Sequence, residues 1–511
     1  MTIKRAILIL LTIVSLLPVF SSLGASVAEP QIQAKLQLYQ TNLILDASEL
    51  ARGDVGENWQ ALLVGSNPYD TAEKQYQEAL KVAENSLSIF DKQLVKLAEI
   101  ESQVATVERA KAIALQKQEL EKQIGDLKLF VDEVNLKMGL IKANNNDIKQ
   151  AQEIWKNLSQ KSSNNIDKAA TILNKLWIEN QFQDSTESVI KQSLDNWFEY
   201  NSLSKLYQLQ KREQELEAIR TQELEMAQKA LGKLVLIGVI PFLGGFIGFS
   251  LFLFLLGQWA IKKDRSLLAT SSAIPWETPW NIETVWQVLI VGFFFIGQIV
   301  LPFSFGFLGI NPSNLTLTLK ALYVLLTYFT MAVCGLLILY FFLKEFFPLP
   351  KMWFNFHLTF KGLIWGLGGY LVALPLVVAV SLINQELWQG QGGSNPLLFL
   401  ALQSQNRLAL ALFFITASIA APVFEEIMFR GFLLPSLSRY LPLWGAVIIS
   451  SLVFALAHMS LSEVLPLTIL GIVLGFVYMR SQNLLSSMLL HSLWNSGTLL
   501  SLFILGSGNQ L

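Results

Sequence analysis

Ala421-Pro422-Val423-Phe424-Glu425-Glu426-Ile427-Met428-Phe429-Arg430 sets two acids and a base into a run that is otherwise apolar from Leu408 onward. Each ionisable side chain near a bilayer centre costs roughly 2.5 to 3.5 kcal/mol on insertion scales, so charge placed there marks a candidate functional site. On a helix, Glu425 and Glu426 point about 100° apart, and Arg430 stands four residues beyond Glu426. Arg430 is therefore expected to pair with Glu426, leaving Glu425 as a carboxylate that faces a cavity and acts as a base. A salt-bridged pin within the helix is the structural alternative, but a pin needs one Glu rather than two.

Outward from this stretch, composition divides the chain. Its 511 residues are 52% hydrophobic with a mean hydropathy of +0.44, which points to a membrane protein of more than one domain. Charged and amide residues crowd between Gln31 and Lys233, whereas apolar runs succeed one another from Leu234. Runs long enough to cross a hydrocarbon core are Leu234–Trp259, Val285–Gly306, Ala321–Leu343, Gly362–Ile383, Leu408 through the paired acids, Leu441–Ala457, Val464–Met479 and Leu484–Leu505. Lys262, Lys263, Arg265, Lys344, Lys351, Lys361, Arg430, Arg439 and Arg480 come after alternate runs, while the opposite loops offer Lys320 and Arg407. The basic side is thus expected to be cytoplasmic. Trp276, Trp280, Trp286, Trp353 and Phe354 at run boundaries are expected to anchor the interface.

The N-terminus has Lys4 and Arg5 before the apolar stretch Ala6–Leu23, then Ser26-Val27-Ala28 as a cleavage pattern. It reads as a signal peptide or an N-terminal membrane anchor, and either form exports the segment beyond it. No proline occurs between Pro68 and Pro241, an interval rich in Gln, Glu, Lys, Leu and Ala that favours long helices. Leu80, Leu87 and Leu94 recur every seven residues, with Ala83, Phe90, Leu97 and Val104 offset by three, giving a coiled-coil or helical-hairpin seam. The fold class is all-α: a polytopic α-helical membrane protein with an N-terminal extramembrane helical domain. The expected division is 1–28 signal or anchor, 29–232 extracytoplasmic helical domain, 233–400 first transmembrane helices, and 401–511 catalytic transmembrane core.

A net charge of −1 offers no general attraction to nucleic acid. The single cysteine, Cys334, rules out an intramolecular disulfide and a thiolate cluster, so chemistry rests on carboxylates and the three histidines. His458 ends the run Phe454-Ala-Leu-Ala-His458, and His491-Ser-Leu-Trp-Asn495 places an imidazole and an amide on one helix face. A lone histidine in an apolar helix is more often a satisfied core residue; two of them with a buried carboxylate and an Asn shift that balance. His357, in the basic loop Lys351–Lys361, reads as interfacial. The two histidines fall at different depths, so convergence on Glu425 requires tilted or broken helices, with Pro422 and Pro435 as the expected break points.

Glu425-Glu426-x-x-x-Arg430, then Phe454-x-x-x-His458, then His491-x-x-x-Asn495, on successive apolar helices, resembles the CPBP family of intramembrane proteases. That family includes the CAAX prenyl endopeptidases, bacteriocin-processing or immunity proteins and abortive infection proteins. The resemblance covers Leu408 to Leu505. It implies a glutamate-dependent endopeptidase in which Glu425 and His458 activate water, while His491 and Asn495 stabilise the oxyanion. Glu426 and Arg430 would be supporting residues and Phe454 a wall of the site. It further implies no cofactor, a membrane-associated protein or peptide substrate, and a bacterial plasma membrane or a thylakoid or other internal membrane. A protein partner of the N-terminal domain is a separate expectation.

Three other readings stay open at this level. Two His and two Glu are plausible zinc ligands, although the His-Glu-x-x-His helix signature is absent. The motif residues also suit a non-catalytic membrane scaffold or an immunity-type binding protein. A proton-coupled transporter lacks the expected inverted repeat.

Overall fold

The computed structural model describes residues 2–51, 64–65, 67–103, 107–161, 165–269, 276–310, 312, 315–403 and 406–507. Among them the regular elements are helical. The chain begins with α1 (Ile3–Ser26) and divides into two compact units, Met1–Glu29 with Ile240–Phe503 and Pro30–Val239 with Ile504–Leu511.

The second of these units contains α2 (Gln33–Ala51), α3 (Pro68–Gln103), α4 (Val107–Asn144), α5 (Ile148–Ser159), α6 (Asn165–Asn174), α7 (Thr186–Ser193), α8 (Asn196–Gln210) and α9 (Glu213–Leu234). Its core is aromatic, with Tyr76, Trp155, Trp197 and Phe198 fully buried. Trp155 lies directly on α4, donating from Nε1 to the Leu136 carbonyl at 3.2 Å. A Cβ at Gly139 would stand 2.3 Å from that nitrogen, so glycine is required for the approach.

The seam on α3 contains Ala83 and Phe90 as expected from sequence but not the leucine row. Ala72, Tyr76, Ala79, Ala83, Ser86 and Phe90 are buried at alternating spacings of four and three, while Leu80, Leu87 and Leu94 are half-buried beside them. Small residues between two aromatics let the helix pack closely, which moves the leucine row to the flank. Val104 lies outside the described residues.

The other unit holds α1 together with α10 (Ile240–Lys262), α11 (Ile282–Phe307), α12 (Leu317–Leu343), α13 (Phe360–Trp388), α14 (Pro396–Gln403), α15 (Arg407–Ser438), α16 (Leu443–Leu456), α17 (Leu461–Ser481) and α18 (Leu484–Gly506). Among the described residues eight helices are long and apolar enough to span a membrane, including α1, α11, α13, α15, α17 and α18. The protein is an integral multi-pass membrane protein. The run Leu441–Ala457, expected to span, instead forms the 14-residue helix α16. At 1.5 Å per residue that is about 21 Å, short of the roughly 30 Å hydrocarbon core. Pro442 precedes its first turn, and Met459, with φ of 58°, reverses the chain after it.

The boundary tryptophans are also corrected. Trp276, Trp280 and Trp353 are 5%, 1% and 6% exposed, so they are core residues rather than lipid anchors. Trp276 stacks on Tyr478 at 5.4 Å and Trp280 on Phe432 at 5.7 Å. Two of the indoles find partners inside: Trp280 Nε1 donates to Ser436 Oγ and Trp353 Nε1 to the Glu277 carbonyl, both at 2.9 Å.

Helix α1 is packed into its unit. Leu8, Val19 and Leu23 are buried against Ile290 and Phe294 of α11, and Trp286 Nε1 donates to Thr12 Oγ1 at 2.9 Å. At its far end Ser26 Oγ accepts from the Leu461 N–H at 3.2 Å, and the Glu29 carbonyl accepts from Gly393 N–H at 2.9 Å.

Candidate active site

Helix α15 carries the acids and is continuous through both prolines. The expected breaks do not occur; the turns widen instead. Thr416–Ala420 and Glu426–Leu433 are π-helical, and Pro422 and Pro435 each stand near the start of the α-helical segment that comes next. Pro422 has no N–H, so it donates neither to the Ser418 carbonyl, its partner in an α register, nor to the Ala417 carbonyl, its partner in the widened register. Ser492 Oγ donates to the Ser418 carbonyl, and Asn495 Nδ2 donates to the Ala417 carbonyl at 2.7 Å. Helix α18 is thereby fastened to α15 by side chains that satisfy backbone groups of the widened turn.

This fastening sets His491 beside both acids. Its Nδ1 lies 2.9 Å from Glu426 Oε1 and its Nε2 lies 3.9 Å from Glu425 Oε2. Arg430 Nη1 donates to the same Glu426 oxygen at 2.8 Å, so the expected pairing of Arg430 with Glu426 is present. Both partners are fully buried. Arg430 Nη2 reaches the Gly471 carbonyl at 3.2 Å, and its guanidinium lies 4.4 Å over the Phe454 ring. A Cβ at Gly471 would stand 2.7 Å from the Ser451 Cβ, so glycine lets α17 approach α16 closely enough to offer that carbonyl.

Phe454, fully buried, is the hub between the histidines, with ring centroids 4.9 Å from His458 and 5.7 Å from His491. His458 sits in the turn after α16 with Nδ1 2.9 Å from the Phe454 carbonyl, an arrangement that fixes Nδ1–H as donor and leaves Nε2 as acceptor in the neutral ring. The structure therefore joins Glu425, Glu426, Arg430, Phe454 and His491 into one contiguous cluster and adds His458 through Phe454. Asn495 is directed to the Ala417 backbone.

Glu425 differs from Glu426 in access: its side chain is 13% exposed, against 0% for Glu426. A cavity of about 300 Å³ on the same helix is lined by Ser418, Pro422, Val423, Met488 and Ser492 and extends to His357 and Asn483, and Glu425, expected to face a cavity, is not among its lining residues. One contact was not anticipated from sequence. Tyr328 of α12 donates its hydroxyl to Glu425 Oε1 at 2.7 Å, leaving Oε2 without a hydrogen-bond partner. Among the described residues, no group of three or more His, Cys, Asp or Glu side chains is arranged to hold a metal ion.

Residues 407–497 match the family model described as Type II CAAX prenyl endopeptidase Rce1-like. The chain is also 27% identical over 213 residues to a Bacillus subtilis protein named "Putative membrane peptidase YdiL", covering 41% of this chain and 83% of that protein. No solved structure gives a significant match. The matched family segment contains the paired acids, Arg430, Phe454, both histidines and Asn495.

Proposed function

We propose, on the premise that residues 407–497 are a domain of the CAAX-protease-like family, that this protein is a membrane peptidase with Glu425 as its general base. The observation that carries the reading is the division of labour between neighbouring acids. Glu426 is fully buried and its Oε1 is engaged by both Arg430 and His491, while Glu425 is the more exposed acid, 13% against 0%, and carries no cation of its own at hydrogen-bond distance. Hydrolysis of an amide needs a base for the water proton and donors where negative charge develops. In this reading Glu425 takes the proton, assisted by His458 through its free Nε2. His491, with Asn495, stands on the oxyanion side. A neutral His491 that donates Nδ1–H to Glu426 has no Nε2–H, so oxyanion donation requires its doubly protonated form.

The substrate in this reading is a membrane-associated protein or peptide, and the cavity beside Pro422 and Val423 is where its chain would approach Glu425. In this reading the basic loops face the cytoplasm, the helical N-terminal unit is exported and available to a protein partner, and the membrane is a bacterial plasma membrane, or a thylakoid or other internal membrane. The test compares the N-termini of membrane proteins in cells carrying the wild type and Glu425→Gln. The expected result is a set of new termini in wild-type cells that vanishes in the variant, while the variant accumulates to the same level in the membrane. Wild-type processing by Glu425→Gln overturns the assignment, and full biological activity without any processing favours a scaffold.

A further inference from the structure

Tyr328 lies on α12, far in sequence from the acids and outside the residues matched by the family model. It is separated by 97 residues from Glu425, yet its hydroxyl makes the hydrogen bond that Glu425 Oε1 accepts. Its ring meets Phe424 edge-on at 6.2 Å, so the helix neighbour of Glu425 also fixes the direction of the phenol. A glutamate carboxylate rotates about a broad, roughly two-fold terminal torsion. With Oε1 held, that rotation is arrested and Oε2 is the oxygen presented to His491 Nε2, 3.9 Å away.

We infer that Tyr328 is a positioning residue for Glu425, assigning Oε1 as the anchored oxygen and Oε2 as the reacting one. The inference rests on the peptidase reading for its effect on turnover, but the positioning itself is a property of the carboxylate. The bland alternative is packing: a buried phenol needs an acceptor, and Glu425 happens to supply it. The two differ over Tyr328→Phe, which positioning predicts to be impaired and packing predicts to be near wild type, while both predict an impaired Tyr328→Leu. Tyr328→Phe keeps the ring against Phe424 and removes the hydroxyl, whereas Tyr328→Leu removes both.

The experiment uses the full-length protein in proteoliposomes. The infrared carboxyl band of Glu425 is first identified as the band lost in Glu425→Gln, and then tracked in Tyr328→Phe. Dye-quenched casein serves as the turnover probe. The expected results are a displaced Glu425 band in Tyr328→Phe and a kcat lowered roughly 10- to 100-fold, the scale of a misplaced reacting group, at unchanged KM and thermal midpoint. An unmoved band overturns the inference, whatever the turnover. So does a Tyr328→Phe variant with wild-type kcat beside an impaired Tyr328→Leu. If Glu425→Gln itself retains turnover, the peptidase assignment fails, while a displaced band still supports the anchoring of Oε1.

Discussion

The imidazole of His491 meets Glu426 through Nδ1 at 2.9 Å. The same Glu426 oxygen receives Arg430 at 2.8 Å, so one buried carboxylate oxygen compensates a cation and orients a ring. The second acid of the pair is therefore more than a pin: it decides which nitrogen of His491 is turned toward Glu425.

Removing one member of this buried pair strands the other. Glu426→Gln is expected to cost about 3 to 5 kcal/mol and to lower the thermal midpoint of the protein in lipid, whereas Glu425→Gln leaves it nearly unchanged. The double substitution Glu426→Leu with Arg430→Met is expected to recover most of the stability and none of the activity. A Glu426→Gln variant with a wild-type midpoint would contradict the pairing.

Pro422 supplies no N–H to the turn before it, and Ser492 donates to the Ser418 carbonyl of that turn. Ser492→Ala is expected to destabilise by roughly 0.6 to 1.7 kcal/mol, the range of interhelical hydrogen bonds in membranes. Pro422→Ala restores a backbone donor to that turn, so the pair should be coupled in a double-mutant cycle. Strict additivity would show that the two positions act separately.

Asp46 gives the N-terminal helical unit a pH dependence. Burial pushes its carboxyl up from an ordinary 3.8 to about 7, although it accepts a hydrogen bond from the Trp197 N–H at 2.8 Å. A raised folded value means the folded state holds the proton that the unfolded chain has released. The contribution is present in full below about pH 4 and is lost as pH rises through about 7, amounting to about 4 kcal/mol. Asp46→Asn keeps an acceptor for Trp197 and should flatten the decline of thermal stability between about pH 4 and about pH 7. An unchanged slope, monitored by tryptophan fluorescence, would place the titration elsewhere.

Helix α1 is expected to stay attached in the mature protein. Cleavage after Ala28 would remove the buried faces of Leu8, Val19 and Leu23 and the bond from Ser26 to the chain just beyond His458. Intact-mass measurement of the purified protein should show the N-terminal segment present; a mature chain starting at Glu29 would refute this.

Much of the helix arrangement was legible in sequence because apolar length alone predicts a span. The run around α16 misled for the same reason: hydropathy counts residues and does not see where Met459 turns the chain. Glu426 with Arg430 was legible because their spacing is local. Tyr328 was not, since a single tyrosine in an apolar helix reads the same whether it meets lipid, an interface or a carboxylate. Its meaning depends on packing between α12 and α15. The widened turns of α15 were marked only by their prolines, and whether proline breaks a helix or shifts its hydrogen-bond register depends on donors such as Ser492 and Asn495 that arrive from another helix.

The last helix also bears on how the protein is made. Glu425 gains Tyr328 from a helix already synthesised, but His491 and Ser492 enter only with α18, 65 or more residues after the acids. During insertion the acids thus wait in the bilayer without the imidazole that completes them. A nascent chain halted at Gln482 would hold the paired acids and Tyr328 but neither His491 nor Ser492, so the cluster that the proposed function requires is assembled last, when the membrane unit is complete.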